Sequence, residues 1–197
     1  MSSGPENRME AFLISTAIVT LAEIGDKTQL LSLLLAARFR RPWPIILGIL
    51  IATLANHAFA AAVGTWVAAV LGPQTLRWVL GLSFIAMALW MLIPDKLDDA
   101  GPAGLRLGVL GTTVVAFFLA EMGDKTQVAT VALAARHGAY VAVVAGTTLG
   151  MMLANVPAVF LGDAAANRLP VRLIHVIGAA LFVLMGMAML ANLEIHL

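Results

Sequence analysis

Apolar residues fill six long runs of the chain, at 11–37, 44–71, 76–93, 107–135, 139–161 and 171–193. Polar and helix-breaking residues gather between them. Arg38, Arg40, Arg41 and Pro42 follow the first run, and Gly72-Pro73-Gln74 the second. Residues 94–104 follow the third, Arg136-His137-Gly138 the fourth and residues 163–170 the fifth. Each run is close to or above the roughly 20 apolar residues that carry a helix across a bilayer. None alternates as the strands of a membrane barrel do. Periodicity within a run adds little, because a helix in lipid can be apolar all round. The pattern predicts an all-α integral membrane protein with six transmembrane helices.

Composition agrees. The chain is 61% hydrophobic and 12% charged, against about a quarter charged in soluble domains. The first apolar run exceeds the core of about 7–15 residues in a cleaved signal peptide, and it contains Glu23, Asp26 and Lys27. It is read as a retained helix. With no cysteine, neither disulfides nor a thiolate metal site can form. A net charge of +1 without a basic stripe excludes nucleic acid as a partner.

A repeat organises the six runs. Leu21-Ala22-Glu23-Ile24-Gly25-Asp26-Lys27-Thr28-Gln29 returns 98 residues later as Leu119-Ala120-Glu121-Met122-Gly123-Asp124-Lys125-Thr126-Gln127. Twelve of the eighteen positions from Leu21 to Arg38 are identical, Glu, Asp, Lys and Gln among them. Gly48 meets Gly146 and Gly64 meets Gly162 at the same offset. The chain therefore divides into a first three-helix repeat at 1–94, a central loop at 95–104 and a second three-helix repeat at 105–197. Three crossings per half make the repeats inverted, a plan that places a transport site at their interface near mid-membrane. Loop charge sets the orientation. Arg38, Arg40, Arg41, Lys96, Arg106, Arg168 and Arg172 fall on one side, and Arg8, Arg77 and Arg136 on the other. Both termini are expected outside the cytoplasm.

The repeated motif places four carboxylates and two lysines inside predicted spans. A charge at the bilayer centre costs at least about 2.5–3.5 kcal/mol, so such residues are functional candidates. On a continuous helix Glu23 and Asp26 share a face, and Lys27 flanks it, able to pair with one carboxylate. Gly25 and Gly123 allow another backbone to approach, or let the helix loosen and expose carbonyls. Thr28, Gln29, Thr126 and Gln127 add neutral oxygens. If the halves face each other, Glu23, Asp26, Glu121 and Asp124 converge as an all-oxygen site for a hard or borderline cation such as Ca²⁺ or Mn²⁺. Zinc and copper are disfavoured, because no His or Cys cluster accompanies the acids. Four carboxylates and two ammonium groups sum to −2, which one divalent cation or two protons neutralise. That balance favours exchange of metal for protons.

The doubled Glu-hydrophobic-Gly-Asp-Lys-Thr signature resembles the family long catalogued as uncharacterised protein family 0016. It includes Golgi Gdt-type transporters and bacterial manganese exporters. The resemblance covers nearly the whole chain. It implies transport of Mn²⁺ or Ca²⁺, by exchange for protons, through the acids at Glu23, Asp26, Glu121 and Asp124. It implies a bacterial member in the cell (inner) membrane, exporting metal and needing no cofactor. Its partners are the metal ion, protons and the lipid bilayer; oligomeric state is left open, a homo-oligomer among the alternatives.

Two other functions compete. A passive channel could use an acidic ring to select cations. An intramembrane phosphatase-type enzyme would need Arg and Ser donors near a helix start, and no arginine lies within either motif-bearing run, 11–37 or 107–135. Among lesser candidates, Asn56 and His57 lie near the middle of the second run, and Asn155 aligns with His57 at the 98 offset. They could supply ligands or a proton relay, or equally a helix-to-helix hydrogen bond. His137, His175 and His196 are expected at membrane interfaces, as are Trp43, Trp66, Trp78 and Trp90. Met122 is read as apolar filling, with a thioether ligand the lesser alternative.

Overall fold

A computed structural model describes residues 5–93, 107–161 and 171–192. The predicted central loop with Lys96, and Arg106, Gly162, Arg168 and His196, lie outside these residues. Among the described residues all regular structure is helical, in eight helices: α1 (Pro5–Glu23), α2 (Lys27–Phe39), α3 (Pro42–Val70), α4 (Pro73–Met91), α5 (Gly108–Glu121), α6 (Lys125–His137), α7 (Tyr140–Leu161) and α8 (Val171–Leu190). Four of them, α3, α4, α7 and α8, are long and apolar enough to cross a membrane.

The difference from six continuous helices lies at the two motifs. Each motif-bearing run is broken, into α1 and α2 in the first half and α5 and α6 in the second. Gly25 has φ +83° and Gly123 φ +77°, a left-handed conformation that glycine adopts without steric cost. The helix stops there. It restarts at Asp26 and Asp124, both N-cap residues with extended backbone. Gln29 and Gln127 reach back from the new first turns. Their Oε1 atoms accept the Gly25 and Gly123 N–H groups at 2.8 and 2.7 Å. A backbone donor freed by the break is thus satisfied inside the protein, as a low-dielectric interior demands. At 13 residues each, α2 and α6 reach only about 20 Å, short of a hydrocarbon core of about 30 Å.

Packing interleaves the two halves. Helix α1 lies against α7, α3 against α5 and α6, and α4 against α8. Close approach depends on small residues at matched places. A side chain at Gly48 would strike Thr113 on α5, and one at Gly146 would strike the Phe12 carbonyl and Ser15 on α1. Ser15 and Thr113 are themselves repeat mates. One apolar cluster joins α1, α4, α6 and α8 and includes the stacked rings of Phe84 and Phe182, 6.1 Å apart. The other gathers Val19, Leu35, Ile49, Phe117 and Met151. The outer surface is apolar: Phe59, Leu89, Val141 and Met187 are all more than half exposed. Trp43 and Trp66 stand exposed near the two ends of α3, and Trp78 and Trp90 near those of α4.

Candidate metal centre

The helix breaks bring the two motifs together. Glu23 closes α1 and Glu121 closes α5, while Asp26 and Asp124 open α2 and α6. All four carboxylates are buried, with exposures of 0, 0, 1 and 2% for Glu23, Asp26, Glu121 and Asp124. Glu23, Glu121 and Asp124 each offer an oxygen within 4.8 Å of the others. Glu23 Oε1, Glu121 Oε2 and Asp124 Oδ2 accept no hydrogen bond among the described residues. Buried carboxylate oxygens left bare in this way are costly, and convergence of three suits a divalent cation.

Asp26 sits differently. Glu23 and Asp26 do not share a helix face, because the break at Gly25 places them on separate helices. Nor does Lys27 pair with its own motif. Its Nζ lies 2.8 Å from Asp124 Oδ1, and Lys125 Nζ lies 2.5 Å from Asp26 Oδ1. Each lysine thus neutralises the aspartate of the opposite half.

The neutral motif residues hold the acids in place. Thr28 donates a short hydrogen bond to Glu23, and Thr126 one to Glu121. Gln29 binds the Gly25 N–H through Oε1 and donates through Nε2 to the Ala154 carbonyl of α7 at 3.0 Å. Its amide oxygen, like that of Gln127, is committed to the helix restart.

The candidates of the second and fifth runs are buried against neighbouring helices. Asn56 donates to the Phe118 carbonyl on α5 at 3.1 Å. Asn155 accepts from Ser32 at 2.7 Å and donates to the Met151 carbonyl at 3.1 Å. His57 is wholly buried, its Nε2 3.7 Å from Glu121 Oε1. Met122 is 54% exposed.

Two contacts were not foreseen from sequence. His175 on α8, expected at an interface, donates to the Ile24 carbonyl in the first break at 2.7 Å. Val171, first residue of α8, packs on Gly25 so closely that an added Cβ would lie 2.2 Å from its Cγ1. Among the described residues the break at Gly123 meets nothing comparable. No local motif marks Val171 or His175, since each acts through distant chain. Ser32 carried a signal: it lies one turn beyond Gln29 and aligns with another hydroxyl, Thr130.

Comparison with known proteins follows the same residues. The profile of the family described as Divalent cation/proton antiporter GDT1 matches residues 11–99 and 109–195. A Vibrio cholerae protein named "Putative manganese exporter" is 53% identical over 184 residues, covering 93% of this chain and 92% of that protein. A GDT1-like protein of Synechocystis is 29% identical over 197 residues, 89% of this chain and 94% of its own. The divalent cation/proton antiporter GDT1 of Saccharomyces cerevisiae is 23% identical over 237 residues, 92% of this chain and 84% of its own. No solved structure matches the chain.

Proposed function

The chain belongs to the GDT1 family of divalent cation/proton antiporters, and from that premise we propose that it exports Mn²⁺ from the cytoplasm in exchange for protons, through a site shared by its two motifs. It is a membrane transporter, not an enzyme. The manganese assignment draws on the name of the Vibrio cholerae relative, with Ca²⁺ the second substrate that an oxygen site admits.

The carrying observation is the convergence of Glu23, Glu121 and Asp124 within 4.8 Å, drawn from both halves of the chain. The crossed Lys27–Asp124 and Lys125–Asp26 pairs balance both aspartates. Two glutamates remain, a charge of −2 that one divalent cation or two protons cancel. Either load leaves the buried site neutral, whereas the empty ionised site is expensive in the membrane. That rule favours antiport over a channel.

In this reading α1 with α2, and α5 with α6, each complete one broken span, giving six spans in two inverted repeats. Matched packing of α1 on α7 and α3 on α5 supports this. Loop charge places both termini outside the cytoplasm, in the cell membrane. Replacing Glu23, Asp26, Glu121 or Asp124 by its amide is expected to abolish Mn²⁺ flux into vesicles while the protein stays inserted. Wild-type flux in all four variants would refute the site.

A further inference from the structure

His57 and Asn155 occupy the same place in the two repeats, yet only Asn155 is satisfied. Its Oδ1 accepts from Ser32 Oγ at 2.7 Å. The mate of Ser32 is Thr130, whose hydroxyl turns instead to the Thr126 carbonyl of its own helix at 2.8 Å. His57 therefore lacks the bond that repeat symmetry would give it. Its side chain is 0% exposed, and neither ring nitrogen makes a hydrogen bond among the described residues. A buried donor or acceptor without a partner costs about 1–3 kcal/mol, so a packing role alone leaves this histidine unexplained.

The ring stands beside Glu121, one of the three carboxylates of the candidate metal centre. Nε2 lies 3.7 Å from Glu121 Oε1, too far for a hydrogen bond. It is close enough for both atoms to bind one ion, since ligand bonds of about 2.0–2.6 Å span up to twice that distance. His57 flanks the carboxylate cluster on its Glu121 edge. Asn155, held by Ser32 and Met151, offers no equivalent nitrogen.

We infer that His57 is a nitrogen ligand to the transported cation and sets its preference for Mn²⁺ over Ca²⁺. Imidazole suits transition metals, whereas Ca²⁺ takes oxygen. The inference rests on the carboxylate site proposed above and adds to it one donor from a single half.

The test uses full-length protein in detergent with Mn²⁺ as the probe. Pulsed electron paramagnetic resonance of bound Mn²⁺ should show coupling to a ¹⁴N nucleus. Protein grown on ¹⁵N-histidine should shift that coupling to ¹⁵N frequencies, and His57→Asn should abolish it. The variant reproduces the residue that the second repeat already carries at Asn155. Competition of Ca²⁺ against Mn²⁺ should move toward Ca²⁺ in His57→Asn by roughly tenfold or more, the scale on which metal-site donors act. Bound Mn²⁺ without nitrogen coupling, or an unchanged competition ratio, would overturn the assignment and leave the carboxylate site standing. A wild-type protein that binds no Mn²⁺ would overturn both.

Discussion

Alanine at Gly25 and at Gly123 should not cost the same, although the two residues are repeat mates with nearly equal φ of +83° and +77°. Both substitutions force a Cβ into left-handed backbone, at about 1–2 kcal/mol. At Gly123 nothing else among the described residues opposes it, since none of their atoms lies within 4 Å of the new Cβ. At Gly25 the Cβ would stand 2.2 Å from Val171 Cγ1, 3.1 Å from Cγ2 and 3.2 Å from Cβ. Valine is stiff about χ1 and cannot swing its methyls clear, so α8 must shift or the break must distort. Overpacking of this kind adds about 1–3 kcal/mol. At about 2–4 °C per kcal/mol for a chain of this size, Gly25→Ala should melt about 2–12 °C below Gly123→Ala. Thermal unfolding of purified protein in detergent, followed by tryptophan fluorescence, measures the difference. Adding Val171→Ala to Gly25→Ala should remove the excess loss and leave the backbone cost. Equal melting temperatures for the two glycine variants would refute the asymmetric packing of α8, as would failure of Val171→Ala to narrow the gap.

Two further outcomes are expected. A cysteine at Arg40 should be shielded from an impermeant thiol reagent added outside cells while one at Gly138 labels, because the proposed inverted topology would put the ends of α2 and α6 on opposite sides; labelling of both from one side would refute the inversion. Apparent Mn²⁺ affinity should weaken as pH falls, because protons compete for the same carboxylates, and Mn²⁺ flux should move protons the other way in vesicles holding a pH dye; flux without a pH change would remove proton exchange and leave a channel.

Much of this was legible in the chain because it depends on composition and repetition. Lipid selects for apolar runs whatever their partners, so the boundaries of α3, α4, α7 and α8 fall close to the runs at 44–71, 76–93, 139–161 and 171–193. Glu23, Asp26, Glu121 and Asp124 stood out because charge is expensive in those runs. The breaks at Gly25 and Gly123 were harder to read. A glycine inside an apolar run fits a close helix contact as well as a left-handed turn, and only the Gln29 and Gln127 side chains accepting the freed N–H groups make the turn tenable. Pairing was harder still. Lys27 lies near Glu23 in sequence but meets Asp124, a choice made by packing of α2 against α5 and its continuation into α6. His175 and Val171 carry no local mark, since their partner is a bare turn 146 to 151 residues away.

The departures from symmetry carry as much meaning as the repeat. Two identical halves would present identical surfaces to either side of the site and offer no way to distinguish its two approaches. Here the first turn is covered by Val171 and His175, while among the described residues the second leaves Met122 exposed and Gly123 unobstructed. Lys27 remains 26% exposed, and Lys125 is buried at 2%. The turn of the first motif is thus covered by α8, whereas among the described residues the turn of the second is not covered by its mate α4, and the lysines differ in the opposite sense. Repeat symmetry means that α4 begins at the position equivalent to α8, with Pro73 and Arg77 matching Val171 and His175. An exchange of these roles would seal Gly123 and uncover Gly25 without altering either motif. The crossed Lys–Asp pairs join the two halves at the site itself, so such an exchange would have to conserve them or break both together. In the proposed exchange, the charge rule at the two glutamates would govern which loads are tolerated, and the uneven cover over the two turns which approach is open.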